Sequence, residues 1–320
     1  MPFVLAMIAV VAVQAQFAIA IAQELHGHRG ARGLLPENTI PSFERALAIG
    51  VDCLELDVGM SKDGTLVISH DPRLNPSIVR RNGNWVTGQT ALKDLTNAEI
   101  AELDVGRIDP KSKYARQFPD QVAIDGTRMP PLADLLAHQG IRAASRVCLN
   151  IEIKTRPNAS DETFSPERLA DTLIMAVTKA GLRSRLVVQS FHWASLVHIA
   201  RVAPDVPLSF LTAERPWLDN IERGKPGASA WLGGLDIDDY GGSIPRAIKA
   251  LNGRFWSVFH RDLTGEALGE AHALGLKVIV WTVNEPAAIR RYLAMGVDGI
   301  ITDYPDRARA VIAAQQIGRK

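Results

Sequence analysis

The 320-residue chain is predicted to be an α/β protein, a (β/α)8 barrel with a long insertion over its C-terminal mouth. Three observations lead there. Short apolar, strand-like runs alternate with amphipathic, helix-like stretches, which is the pattern of βα units on a parallel sheet. Charged residues recur at the C-terminal ends of those runs, where barrels assemble their sites. No G-x-G-x-x-G follows a strand-like run, which argues against an open dinucleotide-binding sheet.

The predicted barrel strands lie near 24–28, 52–58, 147–153, 186–190, 207–211, 255–259, 277–282 and 298–302, with helical stretches near 39–49, 166–180, 192–202, 264–274 and 286–295. Thr39 ahead of Ile40-Pro41 is a helix start, an N-cap hydroxyl with proline in the first turn. Gly50, Gly181, Gly275 and Gly296 each follow an amphipathic stretch, where a C-cap glycine belongs. Two stretches break the alternation. Thr65–Ser69, after the Lys62-Asp63-Gly64 turn, reads as a short extra strand delivering His70 to the mouth; Pro72–Ala144 is then a turn-rich excursion with some helix, of the kind that caps a barrel. A shorter insertion is expected over Glu214–Arg254. Its Asp236-Ile237-Asp238-Asp239 cluster reads as a solvated turn, with a peripheral cation site as the alternative.

A net charge of +1 without a Lys/Arg run gives no case for nucleic acid or an anionic membrane surface, so any anion recognition is local. Residues 2–22 are almost wholly apolar, and Ala20-Ile21-Ala22 offers a small-x-small cleavage site. Residues 1–22 are therefore read as a signal peptide, placing the mature protein in the periplasm or outside the cell without a stable membrane partner. An uncleaved N-terminal anchor is the alternative. Residues 23–320 are read as one barrel domain with its insertion at about 72–144.

Cys53 shares strand parity with Glu55 and Asp57, and Cys148 with Asn150 and Glu152, so both should point into the barrel beneath the site. They are expected to be buried free thiols, with a disulfide as the alternative in an oxidising compartment.

The chemistry rests on residues at strand ends. Glu55 and Asp57 are two apart on one strand and project to the same side, and Glu152 ends the following barrel strand. Three converging carboxylates repel one another, and a hard divalent cation, Ca2+ or Mg2+, resolves this. Salt bridges to Arg29 and Lys154 are the structural alternative. His28 and His70 titrate near neutrality and suit a general acid and a general base. Arg29 and Lys154 suit the nonbridging oxygens of a phosphate ester.

These residues sit in motifs, His28-Arg29-Gly30, Pro36-Glu37-Asn38-Thr39, Glu55-Leu56-Asp57-Val58, Asp63-Gly64, His70-Asp71 and Glu152-Ile153-Lys154. Gln189-Ser190-Phe191, Trp281-Thr282-Val283-Asn284 and Thr302-Asp303-Tyr304-Pro305 follow. In this order, from about Leu25 to Ala310, the chain resembles the glycerophosphodiester phosphodiesterase family. The resemblance implies a TIM-barrel fold, a divalent cation, and hydrolysis of a small-molecule glycerophosphodiester to sn-glycerol 3-phosphate and an alcohol. It places the acid/base pair on His28 and His70, metal carboxylates on Glu55, Asp57 and Glu152, and phosphate contacts on Arg29 and Lys154. Trp281 fits an aromatic wall beside the glycerol moiety, or a packing residue. Glu37 caps the following helix or takes part in catalysis. His26 reads as a core residue, His192, His198 and His272 as structural, and His260 as able to reach the mouth. Trp85, Phe118, Trp217 and Trp231 leave room for an apolar rim, as in a phospholipase C or D acting on intact or lyso lipids. A non-enzymatic binding barrel is the remaining rival.

Overall fold

A computed structural model describes residues 23–317, so the apolar stretch 1–22 lies outside the described residues. Eight parallel strands close on themselves: β1 (Glu24–Gly27), β2 (Cys53–Met60), β3 (Cys148–Ile153), β4 (Leu186–Ser190), β5 (Leu208–Thr212), β6 (Phe255–Phe259), β7 (Lys277–Trp281) and β8 (Gly299–Thr302). Each pairs with the next, and β8 returns to β1. The fold is a (β/α)8 TIM barrel. Among the described residues, no helix is long and apolar enough to cross a membrane.

Alternation along the strands sorts the side chains. Leu54, Leu56 and Val58 of β2, with Leu149, Ile151 and Ile153 of β3, join the core beneath the surrounding helices. Burying one such side chain contributes about 1.5–3 kcal/mol relative to exposure. The intervening residues face the barrel interior, where Val187, Phe255, Ile279 and Ile301 form a second cluster. Helix Ile40–Ile49 begins and ends as its residues dictate. Thr39 Oγ1 accepts from Ser42 N, and Gly50 (φ 88°) returns its N–H to the last turn.

The short strand Leu66–Ile68 runs antiparallel to the end of β2 and carries the chain toward His70. The segment after it builds its own small core from Val67, Leu74, Leu92, Ile100, Leu103 and Met129. Each insertion packs helix against the main core toward its C-terminal end. Helices Leu132–Ala137 and Gln139–Ala143 pack Leu132, Leu135, Leu136 and Ile141 into the main core, and helix Ile244–Ala250 does so with Ile244, Ala247 and Ile248. Some helix was expected in the first insertion; the helix of the second is only 7 residues long. A last helix, Pro305–Ile317, was unanticipated; it buries Ala308 and Val311. The Asp236–Asp239 cluster forms a 3-10 turn in which Asp236 caps and Asp238 accepts from Gly224 N at 2.8 Å.

The cysteines correct the expectation of free thiols. Register places Cys53 directly opposite Cys148 on β2 and β3, and the two are joined by a disulfide. The bond closes a loop across 95 residues inside the barrel wall. Cys53→Ser with Cys148→Ser is expected to lower the unfolding free energy by about 2–4 kcal/mol and the melting temperature by roughly 5–10 °C. A thermal melt unchanged by the double substitution, and by dithiothreitol, would contradict this.

Candidate active site

The site is built from the ends of β1, β2 and β3 and the loops that follow. After β1 the chain turns sharply at Arg29 (φ 50°) and Gly30 (φ 85°). Gly30 admits no side chain: a Cβ there would lie 2.6 Å from Ser42 Oγ and 2.7 Å from the Ser42 carbonyl carbon. Arg29 pays for its left-handed backbone through three contacts: its N–H donates to Glu55 Oε2 (2.8 Å), Nη1 to Glu37 Oε1 (2.6 Å), and its carbonyl accepts from Asn38 N (3.0 Å). Asn38, also left-handed at φ 56°, donates its amide to Asp57 Oδ2 at 2.9 Å.

Glu55, Asp57 and Glu152 meet as expected. Each offers an oxygen, those oxygens all lie within 4.8 Å of one another, and all three residues are buried. Gln189 Nε2 donates to Glu55 Oε1 at 2.8 Å, and Gln189 is itself held by Asn150 at 3.0 Å. Lys154 Nζ lies 2.6 Å from Glu152 Oε1 and 3.7 Å from Asp57 Oδ1. Arg29 Nε lies 3.3 Å from Asp57 Oδ2.

Burial, reinforced by Asp57 and Glu152, pushes the Glu55 carboxyl well above the ordinary range. Burial also raises Glu152, to about 7, against the pull of Lys154. Asp57 would be raised by burial too, but Arg29, His70 and Lys154 hold it low. The protein's own cations therefore leave this cluster under-compensated, and Asp57 Oδ1 has no hydrogen-bond partner. An oxygen-only, buried set of this kind fits a hard divalent metal ion.

Each histidine has a carboxylate behind it. His28 Nδ1 is 2.7 Å from Asp303 Oδ1, while Nε2 looks toward Glu55 at 3.9 Å. Asp303 also accepts from Arg32 Nε (2.7 Å) and Asn284 Nδ2 (2.7 Å). Burial would raise Asp303, but Arg32 and His28 hold it well below the carboxylate range. His70 Nδ1 is 2.8 Å from Asp71 Oδ1, and Asp71 Oδ2 accepts from Asn75 at 2.8 Å. Burial and Arg32 bring His28 down to about 4. Burial, Arg29 and Lys154 lower His70 as well, although 34% of its side chain remains exposed. Both imidazoles are thus neutral near pH 7 in the free protein.

The two histidines, Arg29, Lys154, Glu55, Glu152 and Trp281 line one cavity of 530 Å³, and Asp57 lies buried beside Glu55 and Glu152. Trp217 and Trp231 line it too, whereas Trp85 lies near Arg80 and Phe118 is buried against Tyr114. Glu37 does not cap the next helix. Thr39 does, and Glu37 instead joins Arg29 to the hydroxyl of Tyr114, a residue of the insertion. His260 does not line the cavity; it hydrogen-bonds Tyr292. His26 is buried beside Glu24, and His192, His198 and His272 pair with Thr155, Asp171 and Asp298.

Sequence reasoning passed over Asp303, Arg32, Asn284 and Gln189 as site residues. Three of these lie in the noted motifs, and a carboxylate or amide at the end of a later strand was the available signal.

A parallel barrel with acids, cations and two histidine–carboxylate pairs at its C-terminal mouth defines a hydrolase for phosphate esters. Comparison with known proteins places the chain further. The glycerophosphoryl diester phosphodiesterase family profile matches residues 28–307, and the chain belongs to that family. A glycerophosphodiester phosphodiesterase of Caldanaerobacter subterraneus is 29% identical over 87% of this chain and 93% of its own length. A solved Silicibacter pomeroyi structure assigned to the family is 36% identical, covers 92% of this chain and 94% of its own, and has a TM-score of 0.81. An Oleispira antarctica phosphodiesterase shares the fold at a TM-score of 0.66 and 20% identity, over 91% of this chain and 96% of its own.

Asp303 holds His28 in one tautomer and orientation, so Asp303→Asn is expected to lower kcat by at least about 10-fold with little change in KM. Steady-state kinetics on a glycerophosphodiester would read this, and unchanged kcat would remove Asp303 from the positioning of His28.

Proposed function

We propose that the chain hydrolyses glycerophosphodiesters to sn-glycerol 3-phosphate and an alcohol, with His28 and His70 as the acid/base pair. The observation that carries the reading is geometric. Two imidazoles, each backed by a carboxylate, line the same cavity as Arg29, Lys154 and the buried acid triad. The Oleispira protein of the same fold was solved with sn-glycerol 3-phosphate as its product, which supports this substrate class.

In this reading Glu55, Asp57 and Glu152 hold one divalent cation, Ca2+ or Mg2+. When bound, that ion supplies charge neutralisation at the phosphoryl group and orients a substrate hydroxyl. Arg29 and Lys154 bind the nonbridging oxygens and stabilise the charge that develops on them. One histidine takes the proton from the attacking glycerol 2-hydroxyl, whose oxygen bonds to phosphorus as the bond to the alcohol oxygen breaks. The other protonates the departing alkoxide. Water then opens the cyclic phosphate with the two roles exchanged, which restores both imidazoles. The negative charge of the bound phosphate favours the protonated form of the histidine that serves as the acid. Trp281 flanks the glycerol moiety.

A periplasmic or secreted location accompanies this proposal. It is supported by the apolar run 1–22 and by the Cys53–Cys148 bond, which persists in oxidising compartments.

His28→Ala and His70→Ala are each expected to lower kcat on glycerophosphocholine by about 10²–10⁴-fold while circular dichroism stays unchanged. Near-full activity in both variants would falsify the assignment. EDTA is expected to abolish turnover, and Ca2+ or Mg2+ to restore it; indifference to chelation would remove the metal from the reaction.

A further inference from the structure

The cavity lining is of two kinds. Arg29, Lys154 and the histidines are polar; Phe191, Trp217, Trp231 and Trp281 supply an aromatic wall. Three of the chain's six tryptophans therefore meet in a single cavity. Trp217 sits at the tip of the hairpin formed by Glu214–Arg215 and Leu218–Asp219, and it is 60% exposed. Its ring stands at 77° to Trp281, with centroids 6.3 Å apart, and at 86° to Phe259, 5.4 Å away. Phe191 meets Trp281 at 84° and 5.2 Å. Interlocked edge-to-face contacts of this kind hold the rings in place without burying Trp217.

Elsewhere in the protein its own cations cover aromatic faces. Arg32 lies 4.6 Å over Phe118, Arg80 5.5 Å over Trp85, Arg215 5.2 Å over Phe259 and Arg307 3.7 Å over Tyr304. Among the described residues, no Arg or Lys lies over Trp217, Trp231 or Trp281. The cavity indoles are thus open to a cation from outside, and indole is the side chain that attracts one most strongly.

The kind of cation follows from what the wall lacks. A primary ammonium brings three N–H donors that need acceptors. Two carboxylates at the Trp217 hairpin are already engaged, Glu214 by Arg223 and Asp262 by Arg215. A quaternary ammonium has no N–H and needs only ring faces and apolar contact. Position agrees as well. Phe191 lies 5.8 Å from Lys154 Nζ, so the aromatic wall begins where the phosphoryl group would be held. In a choline ester only two carbons separate the phosphate oxygen from the nitrogen.

We propose that Trp217, with Trp231, forms a head-group subsite for a quaternary ammonium and makes choline the favoured leaving alcohol. This rests on the glycerophosphodiesterase reading above. Trp217 selects substrate by touching the leaving group and takes no part in proton transfer.

The test compares wild type, Trp217→Ala and Trp217→Phe, each metal-loaded, on sn-glycero-3-phosphocholine, the ethanolamine ester and the glycerol ester. Wild type is expected to prefer the choline ester. Trp217→Ala should raise KM for that ester about tenfold with kcat nearly unchanged, and shift the KM of the glycerol ester less than about twofold. Trp217→Phe should keep most of the preference. Equal losses on all three esters, or a loss carried by kcat, would overturn the proposal and leave the wall a packing feature. Selective loss of activity on lysophosphatidylcholine would overturn it too, by assigning the wall to an acyl chain.

A second readout does not depend on turnover. Tryptophan fluorescence should report tighter binding of choline phosphate than of inorganic phosphate, and Trp217→Ala should erase the difference. That result in a protein inactive on every ester would sink the function reading while sustaining the subsite. Equal binding of the two ligands by wild type would overturn the subsite.

Discussion

Mutual repulsion among three buried carboxylates at the ends of β2 and β3 is the constraint on which the rest of the mouth depends. Strand parity forces Glu55 and Asp57 to the same side, and the parallel register sets Glu152 directly across from Asp57. Water would screen such a cluster, but all three residues are buried. The surrounding polar groups answer that demand. Asn38 and Gln189 donate to the carboxylates, Lys154 and Arg29 approach them, and the strained turn at Arg29 brings its backbone N–H to Glu55. The two raised carboxyls mark a cluster that these partners leave under-compensated, and its oxygen-only set fits a hard divalent cation.

The same burial sets the histidines. A low-dielectric cavity beside Arg29, Arg32 and Lys154 disfavours imidazolium, so both rings rest neutral. Asp303 opposes that tendency at His28, and Asp57 at His70, without reversing it; the stronger effect of the carboxylates behind the rings is on orientation. Asp303 is fixed by three donors before substrate arrives, so His28 has little freedom to turn. Asp71 is fixed less fully, and His70 lies on the more open side, at the start of the insertion.

The insertion tightens the site through a polar chain rather than by sealing it. Tyr114 reaches Glu37, Glu37 holds Arg29, and Arg29 touches Asp57; Arg32 joins Tyr114 to Asp303. Beneath the acids, the Cys53–Cys148 bond ties together the two strands that present them. A hydrogen-bonded superstructure and a covalent floor thus brace the same pair of strands from above and below.

Periodicity and strand-end chemistry were legible from the residues alone because they are local. Alternation along 53–58 and 148–153 told which side chains turn inward, and charges on the inward face told that the interior had to be a site. His28, His70, Glu55, Asp57 and Glu152 could be picked out on that ground. What came from folding is everything that needs a register or a return of the chain. Only closure of the barrel brings Asp303 to His28 across 275 positions, and only the β2–β3 register makes two distant cysteines partners. Loop conformation decides that Glu37 serves Arg29 and that Trp217 stands open beside the cavity. Such contacts depend on where separate segments meet in space, and no run of neighbouring residues encodes that meeting.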